Sequence, residues 1–534
     1  MTEPQPAAPD GAPAPKRNAF TRFLDTVEWL GNLLPHPVTL FFLLAAGMVL
    51  LSGLFGYLGV AVEDPRPAGA SGRADDGMIR AVSLLSADGI RRIFSGLVTN
   101  FTSFAPLGVV LTAMLGIGVA EKSGVLSAAV RGMVLGASKN MVTLVIVFAG
   151  VMSNTASELG YVVLIPLAGV VYYSLGRHPL AGMAAAFAGV SGGYSANLLI
   201  GTIDPLLAGI TEEAARLIDP NYSVTATANW YFMAVSTFLV TIVGWAVSTY
   251  IVEPKLGAYN KDDADPTVLE KASADPLTAQ EKKGLKVTGL VLLGVLAVML
   301  LTVVPSWGVL RDPVTGDAMR SPFFSGFAVW IFIFFLAMGW AYGRVVGTVK
   351  NDRDVIDGMA QAMSSLGLYL VIIFFAAQFV AFFNWSNIGS ITAVKGAQML
   401  ETAGLTGPIV FVGFIIICAI VNLSIGSASA QWAMTAPIFV PMLMLVGYSP
   451  EVIQAAYRIG DSTTNIITPM MSYFGLILAW AVRFDKKVGI GTMIAMMLPY
   501  SIFFTIAWTI LFFLWVFGLG LPVGPGAPTF YSVG

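Results

Sequence analysis

The stretch from Asn422 to Pro469 constrains the fold of this chain more than any other. It is rich in Gly, Ser, Thr, Asn and Pro, yet it lies between apolar runs that are too long for a soluble domain. In lipid, an unpaired backbone amide finds no water, so irregular backbone survives only where protein buries it or where it lines a wet cavity. The stretch therefore predicts a binding site inside a membrane protein.

The composition also indicates an integral membrane protein. Hydrophobic residues make up 56% of the chain and charged residues 11%, and the mean hydropathy is +0.78. A soluble domain carries about 25% charged residues. The net charge of −2 excludes the strongly basic surface of a nucleic-acid-binding protein. A single cysteine, Cys418, excludes an internal disulfide, and two histidines cannot form a histidine-rich metal site.

Apolar runs of about 20 residues, the length that crosses the hydrocarbon core, divide the chain into its predicted elements. They predict an all-α integral membrane protein with about nine transmembrane helices and two re-entrant hairpins in inverted repeats, two of the helices being broken. Lys and Arg residues gather at alternate turns, which predicts a cytoplasmic N-terminus. The seven continuous spans are expected at about 37–62, 104–119, 230–252, 287–304, 325–342, 363–385 and 490–517.

The predicted domain organisation has two halves. A disordered cytoplasmic tail (1–24) precedes the first half (25–252), which contains hairpin 1 at about 140–173 and a broken helix at about 179–205. A cytoplasmic linker (253–286) leads to the second half (287–518), which contains hairpin 2 at about 408–446 and a broken helix at about 451–480. An outer C-terminal tail (519–534) follows.

The two halves repeat one order of features. Pro166 and Pro179 are as far apart in the sequence as Pro437 and Pro450, and each pair joins a hairpin to a broken span. On the predicted topology one hairpin enters from inside and the other from outside, so the repeats are inverted. Corresponding interruptions in two inverted halves are typical of secondary transporters that bind their solute near the bilayer midplane.

Four motifs together resemble the AbgT family of bacterial transporters: SNTASE, GGYSANLLIGTIDP, SIGSASAQWAMTAPIFVP and YRIGDSTTNIITPMMSYF. The resemblance extends over essentially the whole chain from about Phe20. It implies a homodimer in the bacterial cytoplasmic (inner) membrane, surrounded by membrane lipid, with a transport core and a dimerising scaffold in each protomer. It also implies a small aromatic carboxylate or sulfonamide as substrate, through uptake of p-aminobenzoyl-glutamate or export of sulfonamide antimetabolites, and leaves the direction open.

Three charged residues in the broken spans are candidates for the site. Arg458 and Asp461 are three positions apart on one helix, and a guanidinium matches a substrate carboxylate in geometry. The alternative is a mutual ion pair that holds the broken helix. Asp204 precedes Pro205, as a helix cap would, but it could also titrate or bind a cation. The resemblance assigns substrate or proton-relay roles to all three positions.

Neutral oxygens at the interruptions are candidates for Na⁺ ligands. Asn154, Asn197 and Asn465 lie where half-helix ends expose backbone carbonyls, although capping or interhelical hydrogen bonds would use the same side chains. Ser153 to Thr155 also resembles the hairpin tips of sodium-coupled dicarboxylate carriers, but hairpin 2 reads GSASAQ instead. Coupling through H⁺ at Asp461 or Asp204 therefore stays open beside coupling through Na⁺.

Aromatic and polar residues complete the predicted substrate site. Trp432 near the tip of hairpin 2 could stack on an aromatic ring, and prolines set the shape of the breaks. The predicted substrate-binding set is Trp432, Arg458, Asp461, Ser427, Ser429, Asn197, Asn465, Pro450 and Pro469.

Sequence motifs bear on the energy source and on enzyme activity. The sequence contains no GxxxxGK[ST] and no HExxH. Its one GxSxG string, Gly189 to Gly193, lies within the predicted broken span and not between a strand and a helix, so neither nucleotide-driven transport nor hydrolase chemistry has a motif in the required context. We therefore expect no enzyme activity and no cofactor other than the coupling ion, with alternating access driven by an ion gradient. A sodium-coupled dicarboxylate carrier is the first alternative, and a channel or an intramembrane enzyme is an alternative of another class.

Overall fold

The computed structural model describes residues 35, 37–66, 73–156, 160–260, 276–318 and 321–532. Within these ranges the regular secondary structure is helical apart from one short antiparallel pair of strands, Ala61–Glu63 with Met78–Arg80. This architecture confirms the predicted all-α membrane fold. The predicted N-terminal tail lies outside the described residues, as do residues 261–275 of the predicted linker.

Eight helices in the described ranges are long and apolar enough to cross a membrane. Seven of them overlap the predicted continuous spans, and the eighth is an arm of hairpin 2. The one that overlaps the predicted span 104–119 is interrupted between Thr102 and Ala105. The eight helices are Pro37–Tyr57, Ala87–Ser123, Trp230–Leu256, Ala279–Val303, Phe327–Val346, Gly367–Trp385, Ala428–Leu445 and Ile490–Gly518.

Helix ends depend on polar residues that apolar runs do not reveal. The helix Ala279–Val303 begins before the span predicted from residue 287, because Thr278 caps it. The Thr278 Oγ1 accepts from Glu281 N at 3.2 Å, and the Glu281 carboxylate accepts from Thr278 N at 2.7 Å. Such a reciprocal box satisfies two amides that the first turn leaves without helical partners. Shorter helices outside the repeats are Val125–Leu135, Pro322–Ser325, Asp352–Ser365 and Ile388–Thr402.

The two predicted hairpins and the two predicted broken helices are present. Hairpin 1 consists of Val142–Ser153, a short turn at Asn154–Ala156, and Gly160–Ser174. Hairpin 2 consists of Val410–Ser424 and Ala428–Leu445. Broken helix 1 consists of Pro179–Gly192, the irregular stretch 193–202, and Ile203–Ala215; broken helix 2 consists of Pro450–Thr464, the irregular stretch 465–473, and Phe474–Phe484.

Each hairpin packs against the broken helix of its own repeat through glycine. A Cβ on Gly189 would lie 2.4 Å from Val147 O, so no larger residue fits between hairpin 1 and broken helix 1. A Cβ on Gly460 would likewise lie 2.5 Å from Ile415 O of hairpin 2. Small residues allow helices in lipid to approach closely and gain dispersion contacts. The two irregular stretches are thereby fixed next to the hairpin tips.

A C-terminal strap, residues 519–532, joins the two repeats at the ends of their helices. Phe232 N donates to Val523 O at 3.0 Å, which attaches the strap to the helix that begins at Trp230. Ser449 Oγ donates to Pro528 O at 2.6 Å, which attaches it to the start of broken helix 2. The strap therefore links the first half of the chain to the second.

Candidate substrate and coupling-ion site

An ion pair joins the two broken helices. Arg458 Nη2 of broken helix 2 lies 2.8 Å from Asp204 Oδ1 of broken helix 1, and both side chains are buried. The other Asp204 oxygen accepts from Gly201 N, which precedes the helix, at 2.7 Å. Asp204 lies inside the first turn of the helix Ile203–Ala215, whose N-cap is Thr202, so it is not the helix cap that its position before Pro205 suggested.

Asn229 holds the guanidinium in place. Its Oδ1 accepts from Arg458 Nε at 3.1 Å, and its Nδ2 donates to Glu451 O at 2.8 Å. Asn229 is buried just before the helix that begins at Trp230, so the first half of the chain positions a charge carried by the second. Arg458 Nη1 has no hydrogen-bond partner among the described residues. One edge of the guanidinium is therefore free for a ligand oxygen.

Trp432 lies in an aromatic stack beside this pair. Its ring stacks on Tyr457 with centroids 4.2 Å apart and planes 23° apart, and its Nε1 donates to Thr211 Oγ1 at 2.8 Å. Trp432 and Tyr457 are both fully buried. In this conformation the position that a substrate ring would take on Trp432 is filled by Tyr457.

Asp461 is buried close to the same stack, but it does not pair with Arg458. Tyr457 Oη donates to Ala428 O at 2.6 Å and lies 3.4 Å from Asp461 Oδ1. Asp461 Oδ2 has no partner within the described part of the chain. The alternative of a mutual Arg458–Asp461 ion pair was wrong, because the long arginine side chain reaches the neighbouring broken helix and meets Asp204 there.

In the second repeat, the Asn422 side chain of hairpin 2 contacts three oxygens at the end of broken helix 2's first half. Its Nδ2 lies 2.7 Å from Asp461 O, 3.0 Å from Thr464 Oγ1 and 2.9 Å from Asn465 Oδ1. An amide nitrogen has two hydrogens, so it cannot donate fully to all three oxygens. The Asn422 Oδ1 is buried without a partner among the described residues. The cluster is therefore rich in acceptors for a cation.

The first repeat contains a related cluster. Asn154 Nδ2 donates to Gly193 O at 3.4 Å, while Asn154 Oδ1 is buried without a partner among the described residues. Asn197 Oδ1 accepts from Leu199 N at 3.1 Å and lies 3.0 Å from Thr155 Oγ1. The three predicted Na⁺ ligands thus fall into two clusters, since Asn154 and Asn197 lie in the first repeat and Asn465 in the second.

Contacting residues have the same separation in the sequence in both clusters. The hydrogen bonds from Asn154 to Gly193 and from Asn422 to Asp461 each span 39 positions. Asn422 and Asn465 are 43 positions apart, as are Asn154 and Asn197. The equal spacing supports the internal repeat, and it places the Asp461 carboxylate where the first repeat has a glycine.

Comparison with known proteins decides the family. The model of the "AbgT putative transporter family" matches residues 22–531.

This chain belongs to the AbgT family.

Its AbgT relatives include a curated transporter and two solved structures. The chain is 36% identical over 502 residues to the p-aminobenzoyl-glutamate transport protein of Escherichia coli K12, covering 94% of this chain and 95% of the relative. It is 59% identical to Neisseria gonorrhoeae MtrF, described among antimetabolite efflux pumps, with a TM-score of 0.89 over 95% of this chain and 100% of that chain. It is 46% identical to the Alcanivorax borkumensis YdaH transporter, described as having an unusual topology, with a TM-score of 0.84 over 92% and 100% of the two chains.

The remaining predicted residues of this AbgT protein lie on hairpin 2 and broken helix 2. Ser427 caps the second arm of hairpin 2, accepting from Ala430 N, and its Oγ lies 3.5 Å from Ser429 Oγ. Both serines are half-buried, whereas Pro450 is buried in the first turn of broken helix 2. Pro469 lies half-buried in the irregular stretch 465–473. None of the four contacts the Arg458 guanidinium in the described hydrogen-bond network.

Sequence reasoning missed four residues of the AbgT site: Asn229, Tyr457, Thr211 and Asn422. Asn229 lies directly before the helix that begins at Trp230, and Thr211 lies within the helix Ile203–Ala215. The apolar pattern of these helices gives no reason to single out either polar residue. Asn422 carried a usable signal, because it stands as far before Asn465 as Asn154 does before Asn197. Among the described residues no three His, Cys, Asp or Glu side chains form a metal cluster, so the candidate cation ligands are neutral amide, hydroxyl and carbonyl oxygens.

Proposed function

We propose that this chain is an ion-gradient-driven secondary transporter that moves p-aminobenzoyl-glutamate or related folate-pathway compounds by alternating access. Its relative in E. coli is named a p-aminobenzoyl-glutamate transport protein and its structural neighbour MtrF is described among antimetabolite efflux pumps, which supports this solute class. Export of sulfonamide antimetabolites is the second activity in the proposal. In this proposal the protein is a homodimer in the bacterial inner membrane with a cytoplasmic N-terminus.

The buried pair between Arg458 and Asp204 carries the proposal. Charges inside a membrane protein are costly, and they mark substrate and ion pathways. The pair joins a helix of each broken span, and one edge of the guanidinium is unpaired among the described residues. A substrate carboxylate is a planar acceptor of the kind that arginine binds in a bidentate manner.

Substrate binding and proton binding would then be linked. A substrate carboxylate that binds Arg458 in a bidentate manner would use Nη2 as well as the unpaired Nη1, and it would therefore displace Asp204 and leave that buried carboxylate without its cation. Protonation removes that charge, so Asp204 would take up a proton as the substrate binds. Proton and substrate then occupy the site together, which is the requirement for symport of a carboxylate solute. Asp461, buried with no cation at ion-pair distance among the described residues, is the second candidate for proton transfer.

The two asparagine clusters support Na⁺ as the other candidate coupling ion. Half-helix ends and unwound backbone carbonyls coordinate Na⁺ in transporters with inverted repeats. Rotation of the Asn422 amide would add its oxygen to those of Asp461, Thr464 and Asn465. A bound cation would thus connect hairpin 2 to broken helix 2 in one state of the cycle.

Flux into proteoliposomes tests the function. The purified protein is reconstituted, and uptake of radiolabelled p-aminobenzoyl-glutamate, a sulfonamide and a C4-dicarboxylate is measured under a pH gradient or a Na⁺ gradient alone. We expect saturable movement of the first solute, chemically unchanged, with one gradient. Movement of the dicarboxylate alone would favour a sodium-coupled dicarboxylate carrier. Non-saturating currents would favour a channel, and chemical conversion of the solute would favour an enzyme. Absence of flux with both gradients would reject the proposal.

A further inference from the structure

A cavity of about 460 Å³ is lined by neither member of the ion pair. Its walls are the end of the helix Ala279–Val303, the start of the helix Phe327–Val346, and residues Leu198 to Ile200 of broken helix 1. The cavity therefore lies where two spanning helices of the second half meet the irregular stretch of the first repeat.

The cavity offers apolar surface and few hydrogen-bonding groups. Aromatic rings form much of its lining, including Phe323, Phe327 and Trp330. The indole of Trp230 also lines it, but its Nε1 donates to Leu198 O at 2.9 Å and is already satisfied. A polar ligand would lose its hydration here without gaining partners. The occupant should therefore be a hydrocarbon chain or another apolar group.

Arg311 is the one charged residue among the described lining residues. Its Nε donates to Gly316 O at 2.8 Å, and its Nη1 donates to Val303 O at 2.8 Å, so backbone carbonyls fix the guanidinium at the rim. No carboxylate of the described residues lies within ion-pair distance of it. The neighbouring Asp312 carboxylate accepts instead from its own turn, at Thr315 N and Val314 N. The rim thus keeps a positive charge.

The cavity opens on an apolar face of a spanning helix. The lining side chains of Leu296, Leu300 and Val304 are 45%, 48% and 65% exposed. Such a face contacts membrane lipid, which supplies both an apolar chain and a charged headgroup. We propose that this cavity binds one acyl chain of an anionic phospholipid, with the phosphate at Arg311. A solute with two carboxylates fits less well, because the rim offers one cation.

The position of the cavity gives the lipid a mechanical role. Leu198 to Ile200 lie between Asn197 of the first asparagine cluster and Asp204 of the ion pair. A chain that fills the cavity would pack this irregular stretch against the helices Ala279–Val303 and Phe327–Val346. The lipid would therefore stabilise one position of broken helix 1 relative to those helices. The binding site itself does not depend on the proposed solute.

Lipid binding to the full chain tests the proposal. Detergent-purified protein is titrated with phosphatidylglycerol or with phosphatidylcholine, and bound lipid is counted by native mass spectrometry. We expect one tightly held phosphatidylglycerol per protomer. Leu300→Trp, which fills the cavity, should weaken that binding by about tenfold, the loss of a well-packed apolar contact. Leu301→Trp is the matched control, because Leu301 is 54% exposed on the same helix but does not line the cavity.

A substitution of Arg311 tests the role of the positive charge at the rim. Arg311→Gln should reduce the preference for phosphatidylglycerol over phosphatidylcholine by about fivefold, as expected for one basic residue near a lipid headgroup. Equal binding of phosphatidylglycerol by Leu300→Trp and by the unmodified protein would overturn the proposal. So would a change of oligomeric state in Leu300→Trp alone, measured by light scattering, because the face would then be a contact between protomers.

Discussion

Arg458 of broken helix 2 lies 2.8 Å from Asp204 of broken helix 1, so each repeat supplies one member of a single buried ion pair. Neither charge could be buried at low cost without the other, since an isolated charge in a low-dielectric interior loses its hydration. The pair therefore couples the positions of the two irregular stretches. Any ligand that binds Arg458 or Asp204 therefore changes the interaction between the repeats.

Asp204→Asn should abolish p-aminobenzoyl-glutamate flux and lower the thermal stability of the protein. The substitution leaves the Arg458 cation buried without its counter-ion, and breaking a buried pair in this way costs about 3–5 kcal/mol. The thermal midpoint in detergent and the flux in proteoliposomes measure the two effects. Arg458→Lys keeps a cation but loses the planar contact, so we expect intact dimers with at least about tenfold weaker substrate binding. Unchanged flux in Asp204→Asn would exclude its role in coupling.

Asp461→Asn should remove the dependence of flux on an imposed pH gradient if Asp461 transfers the coupling proton. The amide has nearly the shape of the carboxyl group but takes up no proton. Because Asp461 has no ion-pair partner in the described network, the variant should fold as stably as the parent protein. Flux measured with and without the pH gradient checks the prediction. Full retention of the pH dependence would assign proton transfer to Asp204 alone.

Asn422→Ala should reduce Na⁺-dependent flux and stability more than Asn154→Ala does. Asn422 Nδ2 contacts three oxygens of broken helix 2, whereas Asn154 Nδ2 makes one longer contact, at 3.4 Å, with Gly193 O. Loss of buried hydrogen bonds costs about 1–3 kcal/mol, because their partners stay unsatisfied. Flux at graded Na⁺ concentrations and thermal midpoints separate an ion-binding role from a structural one. A midpoint shift without any change in Na⁺ dependence would indicate packing alone.

Trp432→Phe should keep the aromatic stack but lose the hydrogen bond to Thr211. We expect a stability loss of about 1 kcal/mol and a weaker apparent affinity for aromatic solutes. Tyr457→Phe is the matched variant, since it keeps the ring and removes the hydroxyl that contacts Ala428 O. If Trp432 stacks on the solute in another state of the cycle, only the Trp432 variant should change the apparent affinity. Equal changes in both would assign the effect to the buried stack.

A chain that ends at Gly518 should insert in the membrane but unfold at a lower temperature. The strap, residues 519–532, attaches the start of the helix at Trp230 to the start of broken helix 2 through Val523 and Pro528. Its removal takes away the partners of Ser449 Oγ and Phe232 N, and it exposes the apolar surface that Val523, only 1% exposed in the intact protein, covers. A chain that ends at Tyr531 keeps all of these contacts and serves as the control. Equal thermal midpoints would show that the strap adds no stability.

The sequence allowed the spans, hairpins and breaks to be predicted, because apolar length and clusters of Gly, Ser and Pro follow directly from the cost of unpaired backbone in lipid. The partner of Arg458 could not be predicted in the same way. Spacing along one helix favours Asp461, whereas the contact with Asp204 depends on how two distant helices approach each other. The burial of Trp432 against Tyr457 likewise depends on the conformation adopted, which residue types do not specify. Helix starts such as Thr278 were missed because their first turns are polar.

The equal spacing of the hydrogen bonds from Asn154 to Gly193 and from Asn422 to Asp461 bears on where this chain tolerates insertions. Each amide reaches its carbonyl only if the hairpin arm, the connecting turn and the first half of the broken helix keep their combined length. A residue added within a helix of either interval would rotate the rest of that helix by about 100° and carry the carbonyl away. The described loops outside these two intervals lack this length restriction. They are the places where homologues should differ in length and where a reporter domain could be inserted.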